Sequence, residues 1–157
     1  MKLPISWLND YTDIKDISPK EYVDALTLSG SKVEGMEPLG EEIQNVVVGK
    51  IVKKEKHPNA DTLWVCQVDL GDEERQIVTG AQNINEGDIV PIAQAPAHLP
   101  GGIVIKAGKL RGEPSNGMMC SHEELGLDIS DIPGACENGI LIFQENYTPG
   151  TDVKEIL

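Results

Sequence analysis

Val46-Val47-Val48-Gly49-Lys50-Ile51-Val52 is the run on which the fold turns. It is short, rich in β-branched residues and bounded by polar stretches, which marks a strand rather than a helix. Reading outward, Leu63-Trp64-Val65-Cys66-Gln67-Val68-Asp69 repeats the pattern, followed by Gln76-Ile77-Val78-Thr79 and Ile89-Val90-Pro91-Ile92-Ala93. Ile103-Val104-Ile105 and Ile140-Leu141-Ile142-Phe143 complete the set, and turns containing Gly, Asn and Asp separate the runs. Several short strands at near-regular spacing predict a small β-barrel rather than βαβ units.

Residues 1–40 have a different character and are expected to form an appendage. Ser18-Pro19 with Glu21 predicts a helix start with a capping box, and Gly30 marks its stop. Ile5, Trp7, Leu8 and Tyr11 predict a short helix or turn ahead of it, and Lys32-Val33-Glu34-Gly35-Met36 alternates as a strand would. The expected division is an appendage over 1–40, a barrel over 41–152 and the start of a returning segment over 153–157. The composition, 39% apolar and 25% charged in 157 residues, is that of an ordinary globular chain. No apolar stretch has the length of a membrane span, and no export signal opens the sequence. The three cysteines, Cys66, Cys120 and Cys136, therefore read as reduced thiols.

Thirteen Lys and Arg face 26 Asp and Glu, a net charge of -13, which excludes a uniformly cationic nucleic-acid binder. The basic residues are nevertheless clustered. Between Glu41 and Asp152 eight basic residues face 18 acidic ones, and seven of the eight fall in two groups. Lys50, Lys53, Lys54 and Lys56 run into His57; Lys106, Lys109 and Arg111 run into Gly112. Laid side by side in a barrel, these would make one basic stripe on an acidic body. Lysines at strand ends also serve simply as solvated charges that protect sheet edges. Rings are few, so a single-strand binder built on stacked bases is disfavoured, whereas phosphate and shape recognition of a folded RNA needs fewer. Trp64 lies in an apolar run and reads as core.

Enzyme chemistry finds little support. Cys120-Ser121-His122 places a thiol beside an imidazole, but sequence neighbours rarely face each other, and the plainer reading is a core Cys and a surface His. No Cys or His spacing of a metal site occurs, and Asp72-Glu73-Glu74 beside Gly71 reads as a solvated hairpin tip.

Longer motifs carry a family resemblance. Ser6-Trp7-Leu8-Asn9-Asp10-Tyr11, the helix after Ser18 and Ser29-Gly30-Ser31-Lys32-Val33-Glu34 resemble the opening of bacterial phenylalanyl-tRNA synthetase beta subunits. His57-Pro58-Asn59-Ala60-Asp61, Ile77-Val78-Thr79-Gly80-Ala81-Gln82-Asn83 and Leu99-Pro100-Gly101-Gly102 resemble the tRNA-binding barrel of that family. So do Lys109-Leu110-Arg111-Gly112-Glu113-Pro114-Ser115-Asn116-Gly117-Met118-Met119-Cys120-Ser121 and Glu124-Leu125-Gly126-Leu127. The resemblance implies a mainly β fold, a five-stranded oligonucleotide/oligosaccharide-binding (OB) barrel with a small helix and strand appendage. It implies an N-terminal fragment of a cytoplasmic synthetase of two alpha and two beta chains that charges tRNA with phenylalanine. The parent uses ATP and magnesium; the fragment itself is expected to hold no cofactor, no metal and no catalytic residue, and to meet neither DNA nor membrane. The expected tRNA-contacting residues are Lys50, Lys53, Lys54 and Lys106 from the two basic groups, together with Lys109, Arg111, Ser115 and Met118 from the motif that the resemblance implies lies on the tRNA-contacting face. His57, Asp61 and Asn83 are further candidates, with a turn as the alternative, in which Asp61 bonds local backbone. A tRNA-binding module and a module that packs inside the synthetase are the two functions this leaves.

Overall fold

The computed structural model describes residues 1–132 and 135–157, without the side chains of Ser6 and Asp131. The Ser6 side chain of the opening motif thus lies outside the described residues. The chain divides into two compact units, Met1–Pro38 and Leu39–Leu157. In the first, α1 (Ile5–Leu8) precedes α2 (Pro19–Leu28). The start of α2 is fixed by a reciprocal capping box: Ser18 Oγ accepts the Glu21 N–H at 3.3 Å, and Glu21 Oε2 accepts the Ser18 N–H at 3.0 Å. Gly30, at φ 100°, follows the helix end as expected. Lys32–Met36 forms no strand, because its alternating residues find no paired neighbour. No residue of α2 is buried, and Trp7, Tyr11 and Leu28 are exposed.

The second unit is built on β1 (Gln44–Lys56), β2 (Trp64–Asp69), β3 (Glu74–Thr79), β4 (Ile89–Leu99) and β5 (Ile103–Ile105). Three short strands follow: β6 (Gly108–Leu110), β7 (Glu113–Ser115) and β8 (Gly117–Met119). All ladders are antiparallel, in the order β3-β2-β1-β4-β5, with β8 also paired to β4 and β6 paired to β7. The sheet curls until β3 meets the segment before β8. There Asn116 N–H donates to Gln76 O at 3.1 Å, and Val78 N–H donates to Ser115 Oγ at 3.1 Å. These bonds bridge the circuit β1-β2-β3-β8-β4, the five strands of an OB-type barrel.

Cross-strand partners share a face, so the register separates two cores. Inside the curl lie Ile51, Cys66, Val68, Ile77, Val90, Ile92 and Met119. Outside, Val46, Val48 and Ala93 pack under the segments that carry Cys120, Leu125, Leu127, Leu141 and Val153. Gly49 sits where β1 passes closest to the interior: a Cβ there would lie 2.5 Å from Ile92 Cγ1 and 2.6 Å from Val68 Cγ1. Only glycine lets the strands approach so closely.

Ile140–Phe143 departs from expectation. Ile140 and Leu141 are buried and Ile142 and Phe143 half-buried, but its amides donate elsewhere than to a ladder: Ile140 N–H to Asn83 Oδ1 at 3.0 Å, Leu141 N–H to Cys120 O at 3.1 Å and Phe143 N–H to Ile89 O at 2.9 Å. It is a strap rather than a strand. His122 is not a surface residue either, since it is 7% exposed. A turn held by Ser121 and Glu124, with Leu127 N–H donating to His122 O at 2.9 Å, brings it inside.

Candidate nucleic-acid interface

A bulge in β1 decides where its lysines go. The register between β1 and β2 shifts between Ile51 and Lys53. Lys50 pairs with Asp69 and Lys53 with Gln67 on the outer face, whereas Lys54 pairs with the buried Cys66 and therefore belongs to the inner face, followed by Lys56 opposite Trp64. The four lysines do not form one stripe. Lys53 is exposed and pairs with Glu55 at 2.8 Å, which holds its ammonium above the usual lysine pKa. The Lys54 ammonium lies 4.1 Å from the centroid of the Trp64 ring and donates to Ile84 O at 2.7 Å. It is spent on the barrel rim, with Trp64 as a half-buried wall rather than a base platform.

The second basic group is presented differently. Lys109 and Arg111 lie on the β6–β7 hairpin, whose turn is Arg111-Gly112 at φ 53° and φ 92°. Both central residues are left-handed, the conformation of a two-residue hairpin turn whose twist matches its strands. The hairpin leans on β3 through Gln76, whose Nε2 donates to Glu113 Oε2 at 3.2 Å and to Pro114 O at 3.0 Å. Lys106, Lys109 and Arg111 are all exposed. Among the described residues none of the three takes part in an ion pair.

His57 joins this hairpin to the loop after β1. Its ring is 5% exposed, with Nε2 2.8 Å from Leu110 O and Nδ1 3.0 Å from the Asn59 amide nitrogen. Asn59 Nδ2 reaches Arg111 O at 3.5 Å. The turn reading of this loop needs one correction. Among the described residues Asp61 accepts no backbone bond, and His57 Nδ1 holds the turn instead.

Three further candidates are committed to partners within the fold. Ser115 is 6% exposed; its Oγ accepts from Val78 N–H and donates to Gly117 O at 3.0 Å, leaving nothing for a phosphate. Met118 is half-buried and packs on the outer core. Asn83 donates through Nδ2 to Ile140 O at 2.8 Å and accepts the Ile140 N–H, so its amide clamps the strap rather than reading a base. Sequence reasoning passed over Asn59 and Gln76, polar residues whose partners lie far along the chain.

The Cys66 and Cys120 thiols are buried and poorly placed to react. Burial pushes Cys66 up to about 11 and Cys120 up to about 12, and Cys120 Sγ lies 3.7 Å from Met118 O with no imidazole partner among the described residues. Among the described residues no group of three His, Cys, Asp or Glu is placed to hold a metal ion, and no helix is long and apolar enough to cross a membrane.

A protein-family profile described as "Putative tRNA binding domain" matches residues 46–152. The chain is 55% identical over its whole length to the phenylalanine--tRNA ligase beta subunit of Clostridium acetobutylicum and 54% to that of Clostridium tetani, covering 19% of each. The Staphylococcus haemolyticus subunit is 46% identical and is covered to 20%. The chain thus spans about a fifth of the length of these curated relatives. Among solved structures, a methionyl-tRNA synthetase-related protein from Pyrococcus horikoshii matches 69% of this chain and 87% of its own, at 26% identity and a TM-score of 0.47. On the profile match and on relatives that align with all of it, this chain belongs to the tRNA-binding domain family, in the form that phenylalanine–tRNA ligase beta subunits carry.

Proposed function

We propose that the chain is the tRNA-contacting module of a phenylalanine–tRNA ligase and contributes binding, not chemistry, to the charging of tRNA. The carrying observation is the β6–β7 hairpin and the residues just before it, where Lys106, Lys109 and Arg111 stand exposed and, among the described residues, without ion pairs on an otherwise acidic body. An arginine takes a phosphate bidentately and lysines supply point charges, while acidic faces elsewhere turn the RNA toward this one. Lys50 and Lys53 on the outer face of β1 are proposed as weaker secondary contacts, Lys53 being shared with Glu55.

The parent enzyme is read as a cytoplasmic assembly of two alpha and two beta subunits using ATP and magnesium. Among the described residues no group of three His, Cys, Asp or Glu is placed to hold a metal ion, so no step of that chemistry is assigned to these residues. Within the parent, 41–152 is the binding module, 1–40 belongs to a domain completed by later sequence, and 153–157 begins the return to it. A second reading, a packing module with little affinity of its own, draws on the net charge of -13 and on an α2 with no buried residue.

Titration of phenylalanine tRNA at low salt with the chain, Lys109→Glu and Arg111→Glu separates the two. The tRNA-contacting reading expects each reversal to weaken binding at least tenfold. Affinity indifferent to both, or absent from the unaltered chain, selects the packing module.

A further inference from the structure

A buried histidine in a loop needs partners for both ring nitrogens. At His57 they are unequal. Nδ1 faces a backbone N–H, that of Asn59, and can only accept; the ring proton therefore sits on Nε2 and is donated to Leu110 O. One imidazole thus ties the loop after β1 to the last residue before the hairpin turn, across 53 positions of sequence. The next residue, Arg111, holds φ at 53°, a conformation a side chain with a Cβ adopts at a cost. Such conformations persist where the surroundings over-determine them. His57 on the carbonyl of Leu110 and Asn59 on the carbonyl of Arg111 are the bonds that do so here.

We propose that His57, assisted by Asn59, is the positioning residue of the interface: it fixes the hairpin tip so that Arg111 and Lys109 are presented to RNA phosphate in one geometry. This role rests on the tRNA-contacting reading. His57 would touch no phosphate itself, being buried. It acts by sparing binding the cost of ordering the tip.

The test is a double-mutant cycle on the chain with phenylalanine tRNA at low salt: unaltered, His57→Ala, Arg111→Ala and both together, with backbone amide NMR of each protein. Loss of one buried hydrogen-bonding unit corresponds to roughly five- to tenfold weaker binding for His57→Ala. The double variant should bind more tightly than the product of the two single losses predicts, since the part of the His57 effect that acts through Arg111 is already gone, and the Leu110 to Gly112 amides should shift while those of β1, β2 and β4 do not. Multiplying losses, or unchanged hairpin amides in His57→Ala, overturns the role while leaving tRNA binding intact. No binding by the unaltered chain overturns the tRNA reading and this role together. Should His57→Ala unfold, Asn59→Ala removes only the exposed bond to Arg111 O. It is then expected to shift the same three amides and weaken binding about twofold; an unmoved hairpin again refutes the proposal.

Discussion

At the scale of single residues, partners decide function more than residue types do. Ser115 and Arg111 stand four positions apart in one motif, yet one is sealed in the barrel and the other projects from a turn. Ser115→Ala removes the acceptor of a buried amide, Val78 N–H. It is expected to cost about 1–3 kcal/mol in denaturant unfolding and to leave tRNA affinity in the folded protein unchanged. A large affinity loss at full stability would return Ser115 to the interface. The thiols give a base-side prediction. Their folded pKa values, about 11 for Cys66 and about 12 for Cys120, lie above the ordinary 9.0, so the folded state holds these protons more tightly. Stability from them is complete below pH 9 and falls as pH rises through 9 to 12. Chemical denaturation between pH 8 and 11 should show this decline, reduced in Cys66→Ala, and Cys66 and Cys120 should resist alkylation at neutral pH until the protein unfolds. The buried Cys120 was readable from its sequence context, whereas the role of Ser115 was not. A serine hydroxyl, an asparagine amide or an imidazole reads the same in sequence whether its partner is RNA or a segment 37 to 57 residues away.

At the scale of elements, what was legible is what is local. The start of α2 was readable because Ser18 and Glu21 satisfy each other within one turn. The hydrogen bonds from Ser18 hold the Glu21 carboxyl below its ordinary pKa, so the contribution of the ionised group is present above the unfolded value and is lost as pH falls through the folded one. The amide signals of residues 18–22 should therefore lose helical character on acidification, and Glu21→Gln should blunt that change. An acid-insensitive helix start would deny the box any role. The long strands β1, β2 and β4 were readable from their β-branched runs. The β6–β7 hairpin was not: Gly-Lys-Leu and Glu-Pro-Ser have no such run, and His57, Asn59 and Gln76 hold it from outside. Ile140–Phe143 failed in the opposite sense, having strand composition but amides bonded to a side chain and two separate carbonyls. The bulge after Ile51, invisible in composition, turns Lys54 inward and divides a stripe that the sequence spacing had made continuous.

At the scale of the whole molecule, a net charge of -13 sets the terms of binding. Lys109 and Arg111 on the hairpin and Lys106 just before it, without ion pairs among the described residues, can hold phosphates only against the repulsion of the remaining surface, so affinity should be modest and the orientation well defined. The central claim is that these three side chains are the electrostatic contact. The measurement that tests it most directly is the dependence of phenylalanine tRNA affinity on salt concentration, compared between the chain and its Lys106→Ala/Lys109→Ala/Arg111→Ala variant. Release of about three counterions gives a log–log slope of roughly -2 to -3 for the unaltered chain, and a slope near zero, with little residual binding, is expected for the variant. Equal slopes for the two proteins would place the contact elsewhere on the surface and contradict the account.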